Sequence, residues 1–128
     1  MAKILLVEDD DLVRDMLTQI LQRASHTVLC ASNGEEATQI LKKEKPDIMV
    51  TDIIMPKKSG ITLISEVKER HPNLEIIAIS GGGRLDPTGY LDLSESLGAS
   101  VSFEKPIDNT ALLMAIDLLL HGNKEKVE

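Results

Sequence analysis

The sequence predicts an α/β fold in which a parallel sheet of five strands is flanked by helices on both faces. Five short aliphatic runs recur at residues 4–7, 27–30, 48–50, 74–79 and 101–103, and each is followed by about ten or more residues with helical periodicity. The runs are apolar without alternation, which is typical of strands covered on both faces. Repeated strand–helix order joins parallel strands by right-handed crossovers, so we expect a three-layer sandwich.

The five helices that follow the runs also have recognisable apolar faces and ends. In the first helix, one inward stripe is expected from Leu12, Met16 and Ile20 together with Val13, Leu17 and Leu21. Residues that favour a helix start precede the later helices: Asn33 with Glu36 three positions on, Ser59 before Gly60, Asp86 before Pro87, and Asp108 or Thr110.

The composition is that of one soluble globular domain, with 128 residues of which 42% are hydrophobic and 27% charged. We expect the domain to cover residues 1–122 and a short charged tail to cover 123–128. A net charge of -7 with one Phe, one Tyr and no Trp argues against direct nucleic-acid binding. A single cysteine forbids an internal disulfide and no apolar run reaches membrane-spanning length, so we expect a cytoplasmic protein without membrane insertion.

Polar residues stand where the predicted strands end. The first run stops at Glu8 and Asp9, the third reaches Asp52, the fourth ends in Ser80 and the fifth in Lys105. In an open parallel sheet the carboxyl ends of the strands share one edge, and ligands bind there where the strand order reverses. Residues far apart in the sequence should therefore meet in one crevice.

This set of side chains suits phosphoryl transfer. Three carboxylates at close range raise one another's pKa unless a cation compensates them, and Mg²⁺ (or Mn²⁺) prefers carboxylate oxygens. An aspartate held beside such an ion can attack phosphorus to form an acyl phosphate, which makes Asp52 the candidate nucleophile. Lys105 and Ser80 would then supply a positive charge and a hydrogen bond to the transferred group.

Several motifs together resemble the receiver domain of two-component response regulators, over essentially the whole chain. Residues 5–9 read LLVED and residues 52–60 read DIIMPKKSG, with the pattern D-x-x-M-P-x-x-x-G. Ser80 follows the fourth strand, Gly98-Ala99 precedes the fifth, and Lys105-Pro106 ends it. The resemblance implies a flavodoxin-like sheet with strand order 2-1-3-4-5.

The same resemblance implies a role for each site residue. Asp52 would be the phosphoacceptor and Asp9 a direct metal ligand, while Glu8 would ligate through water and Ile54 through its backbone carbonyl. Ser80 would be the switch hydroxyl. Lys105 would contact the phosphoryl group, with a cis peptide to Pro106.

The implied function is that of a stand-alone receiver, not an enzyme acting on other substrates. The phosphoryl donor would be a sensor histidine kinase or a phosphotransfer protein. Output would pass to an unknown downstream protein through protein contacts, with a homodimer as one possibility. A receiver cut from a longer regulator or hybrid kinase would have nearly the same sequence.

The sequence departs from the family where an aromatic switch residue usually stands, three positions before the lysine. Ser102 occupies that position, and Phe103 comes one residue late, so the alternation of a strand should place Phe103 on the other face. Tyr90 is an alternative candidate to fill the space. The usual aromatic output mechanism is therefore not expected here.

Two further departures concern the loops at the site. Residues 81–83 are three glycines in a lengthened loop, which we expect either to close on a phosphoryl group, bringing Arg84 or glycine amides towards it, or to be merely a longer loop. Ile54, two residues after the acceptor, offers no side chain to orient an attacking water. We therefore expect a long-lived phosphoryl state.

Other residues receive plainer interpretations. Cys30 is expected to be a buried small hydrophobe. His26, His71 and His121 are expected to be surface residues or helix-end cations, not metal ligands. Residues 111–120 include one polar side chain, Asp117. One inward stripe can use Leu112, Ala115, Ile116 and Leu119. It leaves a surplus of Leu113 with Met114 or Leu120, and we expect part of this surplus to be exposed as a partner or dimer surface, unless the chain's own tail covers it.

Three alternative functions differ from the receiver interpretation in testable ways. A haloacid dehalogenase-like aspartyl-phosphate phosphatase usually carries a second acid two residues after the nucleophile, where Ile54 stands. The triglycine spacing matches neither G-x-G-x-x-G nor the P-loop pattern, which argues against a nucleotide or flavin site. A pseudo-receiver that is never phosphorylated would usually lack some of the acids, the hydroxyl or the lysine, all of which are present.

Overall fold

The computed structural model describes residues 2–53, 55, 58–80, 94–105 and 107–127, with side chains up to residue 121. One sheet is formed by five parallel strands: β1 (Lys3–Val7), β2 (Thr27–Ala31), β3 (Ile48–Asp52), β4 (Glu75–Ser80) and β5 (Val101–Glu104). Their order is β2-β1-β3-β4-β5. Both the predicted fold class and the strand order implied by the resemblance are confirmed.

Helices follow the strands along the chain: α1 (Asp11–Arg23), α2 (Gly34–Lys43), α3 (Gly60–Arg70), α4 at residues 94–97 and α5 (Asn109–Val127). Three predicted N-caps are present, because Asn33, Ser59 and Asp108 accept hydrogen bonds from N–H groups in the first turns of α2, α3 and α5. The predicted cap at Asp86 lies outside the described residues.

Strand side chains alternate between two hydrophobic cores, one on each face of the sheet. Leu5, Met49 and Ile76 pack with residues of α2 and α3, whereas Ile4 and Ile77 belong to the core that packs with α1 and α5. The three-layer sandwich is therefore confirmed. Among the residues described, no helix combines the length and the apolar character needed to cross a membrane.

The apolar stripe predicted for α1 is wrong at two positions. Leu12 is 81% exposed and Met16 is also exposed, whereas Leu17 and Leu21 are fully buried. At 3.6 residues per turn, the line through Leu12 and Met16 lies about 140° around the helix from the line through Leu17 and Leu21. The helix has more apolar residues than its buried face can accommodate.

Two predictions near β2 are also wrong. Cys30 is exposed rather than buried, with its Sγ atom 3.3 Å from Thr18 Oγ1, because β2 is an edge strand that pairs with β1 alone. His26 is buried rather than exposed, and its Nδ1 atom accepts a hydrogen bond of 3.1 Å from the N–H of Ala2. This bond satisfies a polar group that burial would otherwise leave unpaired.

The last helix continues beyond the predicted end of the domain. Because α5 runs to Val127, the backbone of residues 123–127 is helical, and the division between domain and tail stays a prediction. Leu113 is half-buried against the core. Of the expected surplus, Met114 is 59% exposed, and Leu118, which was not part of that surplus, is 69% exposed. Within the described side chains of α5, both face away from the buried Leu112 and Ile116.

Candidate functional site

Three carboxylates meet where β1 and β3 end. These strands are hydrogen-bonded neighbours with Val7 opposite Thr51, so the next residues, Glu8 and Asp52, are also neighbours. One carboxylate oxygen from each of Glu8, Asp9 and Asp52 lies within 4.8 Å of the others. Glu8 is 1% exposed and Asp52 is 4% exposed, whereas Asp9 is open to solvent.

Lys105 brings a positive charge into the same site. Its Nζ atom lies 3.0 Å from Glu8 Oε1 and 3.1 Å from Asp52 Oδ2. The backbone fixes this position, since the Lys105 N–H donates a 2.8 Å hydrogen bond to the carbonyl of Ser80 at the end of β4. Burial lowers the pKa of Lys105, but the hydrogen bonds and charges of Glu8 and Asp52 outweigh burial and raise it above its usual value.

Glu8 is a buried carboxylate whose charge is unfavourable in the absence of a metal ion. Burial raises its pKa to about 7, and the charge of Asp52 acts in the same direction. A hydrogen bond from the Asp10 N–H to Oε2 (3.1 Å) and the contact with Lys105 oppose the rise. The site therefore holds more negative charge than its own cation balances.

Ser80 completes the group of polar residues at the strand ends. It is fully buried at the end of β4, the strand next to β3. Its Oγ atom has no hydrogen-bond partner within the described part of the chain. Since buried hydroxyls are nearly always paired, this atom is suited to a ligand that brings its own acceptor.

Arg14 is a contributor that the sequence analysis missed. Its Nη1 donates a 2.9 Å hydrogen bond to the carbonyl of Glu8, and its Nη2 pairs with Asp11. The spacing of three between Asp11 and Arg14 on a helix is a signal that could have indicated this pair. Arg14 thereby fixes the backbone at the point where β1 leads into α1.

Gly60 allows α3 to begin directly beside the end of β3. Its N–H donates a 2.7 Å hydrogen bond to the carbonyl of Ile53. A Cβ atom at position 60 would overlap the backbone oxygen of Asp52 and the Cα atom of Ile53. The glycine that ends the D-x-x-M-P-x-x-x-G pattern is therefore required by close backbone approach.

At the position where the family usually has an aromatic residue, Ser102 donates a 2.6 Å hydrogen bond from Oγ to Glu95 Oε2 in α4. Phe103 packs into the core on the α1 and α5 side, whereas the strand neighbour of Ser102, Ala78, belongs to the opposite core. The prediction that Phe103 faces away from Ser102 is confirmed.

Some predicted features lie outside the described residues. These are the carbonyl of Ile54, the peptide to Pro106, Tyr90, Arg84 and the glycines 81–83. Their predicted roles stay predictions.

Comparison with known proteins gives one consistent family. Residues 4–117 match the response regulator receiver domain. Sporulation initiation phosphotransferase F of Bacillus subtilis (strain 168) is 32% identical over 106 residues, which cover 83% of each chain. The transcriptional regulatory protein CpxR of Klebsiella pneumoniae is 33% identical over 120 residues, which cover 94% of this chain and 50% of CpxR.

Solved structures agree with this result. A crystal structure of a response regulator receiver domain protein from Clostridium thermocellum superposes with a TM-score of 0.88 at 29% identity, covering 97% of this chain and 98% of that one. Several curated relatives are longer proteins, of which the chain spans 35% in one case and 50% in another.

A doubly wound parallel sheet with acids, a lysine and a hydroxyl at its carboxyl edge defines an α/β signalling domain of the phosphoacceptor class. The chain belongs to the response regulator receiver domain family of two-component systems. This assignment does not favour the haloacid dehalogenase-like alternative.

Proposed function

We propose that Asp52 accepts a phosphoryl group from a phosphohistidine donor and that the resulting acyl phosphate changes the protein's contacts with other proteins. The observation that supports this most directly is the placement of Lys105 Nζ 3.1 Å from Asp52 Oδ2 in a buried cluster of carboxylates. A nucleophilic carboxylate beside a fixed ammonium is suited to receiving a negatively charged phosphoryl group, because the ammonium offsets the charge that the group brings.

The donor set fits Mg²⁺ or Mn²⁺. Glu8, Asp9 and Asp52 offer the hard oxygen ligands that these ions prefer, and one lysine does not balance three carboxylates. Asp9 and Asp52 would ligate directly, Glu8 would ligate through water, and the carbonyl of Ile54 would complete the protein's share. A bound ion would neutralise charge on the carboxylates and on the phosphoryl oxygens.

The chain's own residues divide the work of the transfer. A bond forms between an Asp52 oxygen and phosphorus while the bond from phosphorus to the donor imidazole nitrogen breaks, and the electron pair of the broken bond stays on the imidazole. Lys105 stabilises negative charge on the phosphoryl oxygens. Ser80, whose hydroxyl has no hydrogen-bond partner among the described residues, donates that hydroxyl to one of those oxygens.

The donor would be a sensor histidine kinase or a phosphotransfer protein. Apart from accepting and losing this group, the chain would have no catalytic activity on other substrates. Output would pass in the cytoplasm to a downstream protein that recognises the phosphorylated surface. A pseudo-receiver that only binds partners is the second candidate.

Incubation with acetyl phosphate and Mg²⁺, followed by measurement of the intact mass, tests this proposal. Wild-type protein should gain one phosphoryl group, and Asp52→Ala should gain none. Chelation of Mg²⁺ should prevent the gain, and Asp52→Asn is the matched isosteric control. A wild-type protein that gains nothing in Mg²⁺ would support the pseudo-receiver, and an equal gain in Asp52→Ala would place the acceptor elsewhere.

A further inference from the structure

A groove of about 730 Å³ lies between α2 and α3, on the opposite face of the sheet from α1 and α5. Leu41 of α2 and Val67 of α3 line it and are buried, so the base of the groove is apolar. Exposed Lys42, Lys45 and Arg70 line it as well. The groove therefore combines an apolar base with a cationic rim.

The net charge of this rim is opposite in sign to the net charge of the whole protein. The chain has a net charge of -7, but four Lys and Arg side chains line the groove against two Glu side chains. Across the part of the chain that the structure describes, Lys42, Lys45 and Arg70 take part in no ion pair. Their charges are therefore available to a ligand.

Cations often stand at helix C-termini because they offset the helix dipole, and Lys68 stands in the last turn of α3. Its Nζ atom donates hydrogen bonds of 3.1 Å and 2.9 Å to the carbonyls of Pro72 and Leu74, just after the helix. Lys42 and Arg70 stand in last turns too, but they make no such side-chain bond within the described residues. The dipole accounts for cations within the last turn, but Lys45 lies beyond the end of α2, so the dipole does not account for the whole rim.

One end of the groove is built on the loop that follows the acceptor strand. Lys58, six residues after Asp52, lies there with Nζ 2.6 Å from Glu66 Oε1 and 3.2 Å from Thr38 Oγ1. A Cβ atom on Gly34 would come within 2.7 Å of Lys58 Cβ, so this loop packs closely against the start of α2. A ligand in the groove would contact a segment continuous with β3.

We infer that the groove binds an acidic segment of a partner protein, with an apolar side chain over Leu41 and Val67 and carboxylates beside Lys42, Lys45 and Arg70. A short segment fits because salt screens charge–charge interactions beyond about 8–10 Å. The cations of the rim therefore govern its binding, and the acidic residues elsewhere on the protein do not repel it. Nucleic acids and anionic membranes extend beyond the groove and meet the net negative charge of the protein. The inference is independent of phosphoryl transfer, since no residue of the groove belongs to the acidic site.

Fluorescence anisotropy with a labelled peptide tests the inference on the full chain. The probe is a nonapeptide with a central Leu and four Glu on each side, and the matched probe carries Gln in place of Glu. The Glu peptide should bind, and the Gln peptide should bind at least about tenfold more weakly. Raising salt from about 50 mM to about 300 mM should weaken binding severalfold, because the rim is solvent-exposed.

Variants locate the binding site. Lys42→Gln combined with Arg70→Gln should weaken binding of the Glu peptide about tenfold. Arg23→Gln is the control for the loss of one charge, because Arg23 stands in the last turn of α1 on the other face of the sheet. It should leave binding unchanged, whereas Arg70→Gln alone, which removes the same charge, should weaken binding severalfold. Asp52→Ala should also bind normally, which separates this test from that of the phosphoacceptor.

Three results would overturn the inference. One is equal binding of the Glu and Gln peptides, or no binding of either. Another is an equal loss of affinity in Arg23→Gln and in the groove variant, which would indicate an effect of overall charge. The third is tighter binding of a single-stranded oligonucleotide or of phosphatidylserine vesicles than of the Glu peptide, with the same dependence on Lys42 and Arg70.

Discussion

At the scale of single residues, Lys105 determines the charge balance of the acidic site. Its ammonium lies about equally close to Glu8 and Asp52, so it partly compensates two buried carboxylates at once. A divalent cation bound by the same carboxylates would compete with this ammonium for their charge. In the proposed function, the lysine would therefore stabilise the metal-free site and oppose metal binding, and it would assist the phosphoryl group once that group arrives.

Replacing Lys105 with Met should separate these two effects. We expect Mg²⁺ to bind about three- to tenfold more tightly, because the competing charge is removed. Phosphorylation by acetyl phosphate should become roughly 100-fold slower, because the transferred group loses its fixed cation. Isothermal titration with Mg²⁺ and time-resolved intact mass measure the two quantities. Lys105→Arg, which keeps the charge, is the control, and weaker Mg²⁺ binding in Lys105→Met would contradict this account.

Gly60 is the residue whose replacement should perturb the acceptor strand most directly. Gly60→Ala should lower the free energy of unfolding by about 2 kcal/mol or more, because the new Cβ atom overlaps backbone atoms of Asp52 and Ile53 that have no free rotation. Urea unfolding measures the change. Ser65→Ala, an exposed position in the same helix, should be nearly neutral. Equal stability of the two variants would show that the backbone relaxes without cost.

At the scale of helices and strands, local features were predictable and the choice of buried face was not. Asn33, Ser59 and Asp108 form their N-caps with residues two or three positions away, so a short stretch of sequence contains all the information. Leu12 and Met16 were misplaced because α1 has apolar residues around much of its circumference. The side that becomes buried depends on the packing of β1, β2 and α5, which no local pattern contains.

Strand β5 shows how alternation predicts one contact and leaves another unpredicted. Phe103 packs on the α1 and α5 side because side chains alternate along a strand. The Ser102–Glu95 hydrogen bond depends on where residues 94–97 lie against the sheet, and sequence periodicity does not specify that placement. A polar contact thus joins β5 to α4 where the family usually has an aromatic side chain.

Helix α5 carries the exposed apolar side chains that would support self-association. Met114 and Leu118 are four residues apart and lie on one exposed line. If the protein dimerises through α5, Met114→Gln with Leu118→Gln should abolish the dimer in sedimentation equilibrium. The free energy of unfolding should change by no more than about 0.5 kcal/mol, since neither side chain is buried. Leu12→Gln on α1 is the matched control, and a dimer that resists the α5 change but not the α1 change would place the interface on α1.

At the scale of the whole molecule, the topology explains why so much of the site could be predicted. Glu8, Asp52, Ser80 and Lys105 end or directly follow strands that are parallel in one sheet, so these residues share an edge in every such arrangement. The 3.0 Å and 3.1 Å contacts of Lys105 were not predictable, because they depend on the side-chain conformation beyond β5. The exposure of Cys30 follows from the position of β2 at the edge of the sheet, which the aliphatic composition of that strand does not specify.

The burial of His26 links the stability of the whole molecule to pH. Burial lowers the pKa of His26 below its usual value, and the charge of Asp117 opposes this shift. Its Nδ1 atom accepts a hydrogen bond from Ala2, which requires the neutral ring. The unfolded chain therefore binds the proton more readily than the folded protein, and the free energy of unfolding should fall as pH decreases below about 6.5 towards the lower pKa of the folded state.

Urea unfolding of wild type and His26→Gln at a series of pH values isolates this effect from the other titrating groups. The wild-type protein should be more stable near neutral pH, because its Ala2 hydrogen bond is intact, and its advantage should shrink as the pH falls and the ring of the unfolded chain takes up a proton. In a protein that keeps His26, Asp117→Asn should make the free energy of unfolding depend more steeply on pH. The substitution removes the negative charge that supports the protonated ring. A difference between wild type and His26→Gln that stays constant with pH would mean that the folded protein accommodates the protonated ring. In that case the hydrogen bond from Ala2 to His26 Nδ1 would not contribute to the stability of the folded protein.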